Sequence, residues 1–125
     1  MAEVSAMARL TVDGDEVVVR LSGRERLFAH RRRVRVPLAQ VRAASVEPDW
    51  WRVLRGEPHP GRFLPDRLCV GAWEHPGGRD FVAVHAHGPV VLVDLEPSAP
   101  FARLAVSADD AVEAEATVAA IRRTL

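Results

Sequence analysis

Apolar and polar positions alternate through the first third of the chain. Leu10-Thr11-Val12 and the run Glu16 to Leu21 flank Asp13-Gly14-Asp15. An Asp-Gly pair between β-rich runs predicts a hairpin, because its tight turn needs residues that tolerate positive φ. Val17, Val19 and Leu21 alternate with Val18 and Arg20, as in a strand buried on one face. Ser22-Gly23-Arg24-Glu25 has the form of a capping box and predicts a short helix over residues 23–30, anchored by Leu27 and Phe28. Arg31 to Val36 then predicts a strand with Val34 and Val36 on one face, which Pro37 ends or confines to a sheet edge. Leu38 to Val41 reads as a turn, and Arg42 to Glu47 as renewed extended chain.

The pattern breaks between Pro48 and Pro65, where four prolines and two glycines surround Trp50, Trp51, Val53 and Leu54. A long irregular connection pinned by aromatic side chains is expected there, and such ordered loops are where binding sites concentrate. Short strands follow at Leu68–Glu74, Asp80–Ala86, Pro89–Leu95 and Phe101–Val106, separated by turn residues, which predicts antiparallel meander pairing. Ser107-Ala108-Asp109-Asp110 supplies N-cap chemistry, and Ala111, Ala114, Val118, Ile121 and Leu125 recur at helical spacing. The predicted fold class is mainly β with one C-terminal α-helix, in one domain spanning residues 1–125, with 1–7 loosely ordered.

Composition agrees with a folded domain: 48% of residues are hydrophobic and 27% charged. A lone cysteine, Cys69, rules out an internal disulfide and a cysteine-rich zinc site. No segment has the length of a membrane-spanning helix, and residues 1–7 lack the basic start and apolar run of a signal peptide, so a cytoplasmic protein is expected. All 17 basic residues are Arg, which reads as the codon bias of a GC-rich genome. Charge is unevenly laid out. Arg20 to Arg67 holds 12 Arg against 5 acids, and the rest 5 Arg against 12 acids, a distribution able to steer partners unless folding interleaves the two halves.

A hairpin, a set of short strands and one terminal helix, in that order, resemble the pleckstrin-homology superfold. Val34-Arg35-Val36-Pro37-Leu38-Ala39-Gln40-Val41 is similar to a strand–proline–turn–strand stretch of bacterial domains of that type. Trp51 to Pro65, and Asp80-Phe81 with the valine-rich strand after it, resemble uncharacterised actinobacterial proteins of the same kind. The resemblance implies a bent antiparallel sheet or partly open barrel of about seven strands, capped by the helix. It implies no activity, since the superfold hosts lipid, peptide and protein binding alike. The first hairpin loop, Asp13-Gly14-Asp15-Glu16, is acidic where lipid-binding members are basic, which argues against phosphoinositide binding.

Candidate chemistry is sparse. His85 and His87 lie two apart on a strand and share a face, but no zinc-type spacing accompanies them, His59, His75 or Cys69. Arg31, Arg33 and Arg35 share a strand face that reads first as a solvated edge strand and otherwise as a surface for an anionic membrane or an acidic partner; no nucleic acid is expected, since the aromatic interleaving of single-stranded nucleic acid binders is missing. Trp50 and Trp51 cannot both point inward from an extended chain, so one is expected to anchor the loop and the other to face an interface. Trp73 and His85 are candidates for a pocket beneath the Trp50–Pro65 loop. Asp94 and Glu96 read as a solvated pair at a turn, and Ser22 and Ser107 as caps. No serine sits in a nucleophile motif. The leading expectation is therefore a non-catalytic interaction module without metal or cofactor, binding a protein partner or itself. A small-molecule carrier or enzyme is the alternative, and weak membrane binding a second one.

Overall fold

The computed structural model describes residues 8–21, 33–64, 68–85 and 88–125. Among the described residues there are nine strands and one α-helix: β1 (Arg9–Asp13), β2 (Glu16–Arg20), β3 (Arg33–Pro37), β4 (Val41–Glu47), β5 (Glu57–Leu64), β6 (Leu68–His75), β7 (Gly78–His85), β8 (Val90–Leu95), β9 (Arg103–Ser107) and α1 (Ala111–Arg122). The helix expected over residues 23–30 lies outside the described residues, as do Arg31, Arg32 and His87.

The first three strands form one antiparallel sheet in the order β1-β2-β3. Asp13 pairs with Glu16 across a two-residue loop, and Gly14 at φ 64° supplies the positive φ that such a loop demands. Val34 and Val36 are buried on β3, while Arg33 and Arg35 are exposed, as alternation requires. Pro37, whose ring nitrogen cannot donate, closes this edge strand. The turn at Leu38–Gln40 is a single 3-10 turn, fastened by the Leu38 amide donating to the Asp15 carbonyl at 2.8 Å.

The other six strands form a second sheet in the order β4-β8-β9-β7-β6-β5. This corrects the expected meander. The β8–β9 hairpin folds back so that β9 sits between β8 and β7 and runs parallel to β7, with Phe81 opposite Leu104 and Val82 opposite Ala105. The physical reason is burial on both faces. Phe81-Val82-Ala83-Val84 and Leu104-Ala105-Val106 are continuous apolar runs, every residue of them buried, and such runs belong at the centre of a covered sheet. A meander would have left the last of them at an edge.

The Pro48–Pro65 stretch is also more regular than expected. After a 3-10 turn at Trp50–Val53 the chain forms β5, which pairs with β6 alone. Prolines are tolerated there because an edge strand has one side free of ladder bonds, and the register breaks between Pro58 and Gly61.

Among the described residues no ladder joins the two sheets, and they do not close into a barrel. They share a core instead. One face of the large sheet (Phe81, Ala83, Val91, Val93, Leu104, Val106) packs against Val17, Val19, Val34 and Val36 of the small sheet. Helix α1 bridges the two, lying on β1, β4 and β8 with Ala114, Val118 and Ile121 buried. Ala111, the first residue of α1, and Leu125, three residues past its end, were expected on the same stripe and are exposed. Asp110 is the N-cap, its Oδ1 accepting from the Glu113 amide at 2.8 Å. Ser107 is not a cap: it is buried in β9, where its Oγ accepts from the His85 amide at 3.0 Å.

The opposite face of the large sheet carries a second apolar cluster of Val53, Trp73, Val82, Val84, Val90 and Ala105, covered by Trp50, Leu54 and Leu92. The segment from Trp50 to Arg55 is thus a strap laid over the sheet.

Candidate functional site

Where that strap ends, the sheet holds a charged side chain that apolar burial alone cannot explain. Asp80 lies on β7 in phase with Val82 and Val84 and is 0% exposed. A buried carboxylate costs several kcal/mol unless it is paired and hydrogen-bonded, on the order of the penalties for other buried ions. Here both its oxygens are engaged. Arg55 donates from Nε to Oδ2 at 2.7 Å and from Nη2 to Oδ1 at 2.8 Å, a bidentate fork. His75 Nε2 lies 3.0 Å from Oδ1. The Gly77 amide donates to His75 Nδ1 at 3.1 Å, so the neutral ring carries its proton on Nε2 and donates it to Asp80. Hydrogen bonding to Asp80 is the chief reason the Arg55 pKa is raised above its ordinary value, with burial opposing it.

Backbone geometry puts Arg55 in reach. Gly56 follows at φ 81°, and a Cβ there would stand 1.8 Å from the Glu74 carbonyl oxygen. Only glycine lets the strap pass this close to β6. His75 closes the β6–β7 turn opposite Gly78, in register with Asp80 and Trp73 two pairs along.

Beside this triad runs a groove of about 870 Å³ at the end of the large sheet. Arg42, Arg55, Arg79 and Arg103 line it with His75, against Asp94 and Glu96, and the turn from Pro97 to Ala102 forms its far wall. Arg103 donates from Nε to Asp94 Oδ1 at 2.7 Å across the β8–β9 pair. Arg79 stacks over the Phe101 ring at 5.7 Å and stands 4.0 Å from Glu74. Arg42 owes its position to a β-bulge. Val41 pairs with Leu95 and Ala43 with Asp94, which leaves Arg42 as the extra residue, turned into the groove with no ion pair among the described residues.

Apart from His75, Asp94 and Glu96, the described residues singled out from the sequence lie elsewhere. Trp50 is half-buried against the second cluster, and Trp51 is 56% exposed with the Arg52 guanidinium 5.3 Å over its ring. Arg33 and Arg35 are exposed on β3, and Arg35 is held by Glu16 at 2.9 Å. Arg31 lies outside the described residues. Trp73 is buried in the second cluster and His85 stands at the far end of β7, five residues from Asp80, roughly 17 Å at strand rise. Among the described residues Trp50 and Leu54 of the strap pack on the cluster that holds Trp73, and His85 is not part of that cluster. Among the described residues no group of three or more His, Cys, Asp or Glu side chains is placed to hold a metal ion.

The triad and the groove were missed, although one signal was present. Asp80 shares the phase of Val82 and Val84, and a carboxylate at an inward strand position requires a partner. Asp94 and Glu96, read as a solvated pair, are groove walls.

Set against models of protein families, curated proteins and solved structures, the chain matches none of them.

Proposed function

We propose that the chain is a non-catalytic binding module of pleckstrin-homology-like type whose recognition surface is the arginine-lined groove. The observation that carries this reading is the convergence of four guanidiniums, from β4, the strap, β7 and β9, on one cavity. Its volume falls within the range of small-ligand sites. Binding is favoured over catalysis by the state of His75. Its Nε2 proton is directed at a buried carboxylate and its Nδ1 is occupied by the Gly77 amide, so neither nitrogen faces the groove as an acid or base. The C-terminal helix across a β core supports the superfold reading, and the parallel β7–β9 pair is a departure within it.

The test is amide-resolved NMR of the full chain against a set of neutral, cationic and anionic fragments. Shifts converging on Ala43, Gly78, Ala102 and Arg103 are expected. Shifts centred on Trp51 or β3, or no shifts with any fragment, would overturn the proposal.

Self-association is a second reading, favoured by the exposure of Trp51 beside Arg52. Light scattering tests it: a mass that rises with concentration in the wild type and not in Trp51→Ala supports it, and a constant monomer mass rejects it.

A further inference from the structure

We infer that the groove takes a small molecule bearing two or more phosphate or carboxylate groups, an inference that rests on the groove being the recognition surface. The argument is a count of hydrogen-bonding edges. Asp80 occupies Nε and Nη2 of Arg55, and among the described residues no partner engages Nη1. Asp94 occupies only Nε of Arg103, leaving both of its Nη groups. Each carboxylate therefore fixes a guanidinium from one edge and leaves another edge for a ligand. Such fixed forks suit planar carboxylates and tetrahedral phosphates. Arg42 adds a fork with no ion pair among the described residues, and Arg79 is held only loosely by Glu74 at 4.0 Å.

Acceptors are scarcer. Among the described residues both oxygens of Asp80 are used and buried and one oxygen of Asp94 is engaged, which leaves the other Asp94 oxygen and the Glu96 carboxylate as acidic acceptors against the open edges of four guanidiniums. A ligand that complements it brings oxygens. The separation of the arginines sets the number of anionic groups. β4 and β7 lie three strand spacings apart, about 14 Å between backbones, with β9 between them. One group seated between Arg42 and Arg103 and another at Arg55 use this width, with Arg79 lining the groove at the sheet end, over Phe101. Asp94 and Glu96 repel an anion that binds out of this register, which makes the spacing of its charges matter.

Isothermal titration calorimetry with tripolyphosphate and with citrate, alongside orthophosphate and acetate, tests this on the full chain, with amide NMR to locate the site. Tripolyphosphate and citrate are expected to bind about tenfold more tightly than orthophosphate and acetate, which carry a single anionic group, the gain of one further charge-assisted contact. Arg42→Ala and Arg79→Ala should each weaken them about fivefold or more, while Arg123→Ala, at the exposed helix end, leaves them unchanged. The tighter of the two identifies phosphate or carboxylate as the ligand's anionic group. Equal weakening by Arg123→Ala would show a mere charge effect and overturn the inference. If neutral fragments enter the groove and neither polyanion does, the inference falls and the binding-module reading stands; if nothing enters, both fall.

Discussion

Replacing Arg55 by alanine removes the main partner of a carboxylate that water cannot reach. Asp80 is 0% exposed, and Arg55→Ala leaves it with the single bond from His75. Breaking a fully buried ion pair from one side costs about 3–5 kcal/mol. The Arg55 side chain is 37% exposed, so water refills part of its place, and the expected cost falls to roughly 2–3 kcal/mol. Asp80→Asn keeps the shape and frees a guanidinium that can turn to solvent, so roughly 1–2 kcal/mol is expected. The order of the two costs follows from the difference in exposure. Replacing both partners together, Arg55→Met with Asp80→Leu, removes the buried charge but leaves the His75 Nε2 proton without its acceptor, so stability should return to within about 1–3 kcal/mol of the wild type. Urea unfolding followed by tryptophan fluorescence reads this well, because Trp73 lies in the cluster beneath the strap and Trp50 of the strap packs against it. For a chain of 125 residues each kcal/mol corresponds to roughly 4 °C in Tm, so Arg55→Ala should melt roughly 8–12 °C lower. A loss under about 1 kcal/mol, or a larger loss for Asp80→Asn than for Arg55→Ala, refutes the pairing energetics argued above.

Other changes probe the elements that position the groove. Gly56→Ala drives a Cβ into the Glu74 carbonyl at a positive φ, and a loss of about 2 kcal/mol or more in urea unfolding is expected. Ile121→Ala should cost about 2–5 kcal/mol, whereas Leu125→Ala, 56% exposed, stays within about 0.5 kcal/mol, a contrast that thermal melts resolve. Asp110→Ala removes the N-cap bond to Glu113 and should lower stability by about 1 kcal/mol, with earlier amide exchange in the first turn of α1. Arg9→Ala breaks half-exposed contacts to Asp109 and Glu113 and should cost at most about 1 kcal/mol, shrinking further in high salt.

The elements whose signals are local were legible in the sequence. Asp13-Gly14 marks its hairpin and the run Ser107–Asp110 marks the helix start, although Asp110 and not Ser107 is the cap, because turn and cap chemistry depend on a few adjacent residues. The strand order was not legible, since the place of β9 depends on which apolar runs are buried on both faces, a property of the assembled sheet. β5 was hidden by Pro58 and Pro60, which are tolerated at an edge that only the pairing reveals. The groove was hardest of all. Arg55 meets Asp80 across 25 positions of sequence, and Arg42 turns inward only because the register slips opposite Leu95. Neither relation has a motif. Trp51 and the Arg31–Arg35 run drew notice because they are conspicuous in composition, whereas the guanidiniums that converge are scattered singly along the chain.

The most direct test of the groove as recognition surface is a crystal structure of the chain grown with tripolyphosphate. The account expects one end of the anion within hydrogen-bond distance of Arg55 Nη1 and its other groups against Arg103 and Arg42, with the Arg55–Asp80 fork intact. Tripolyphosphate seated on β3 or at the helix end, with only water among the groove arginines, would contradict it.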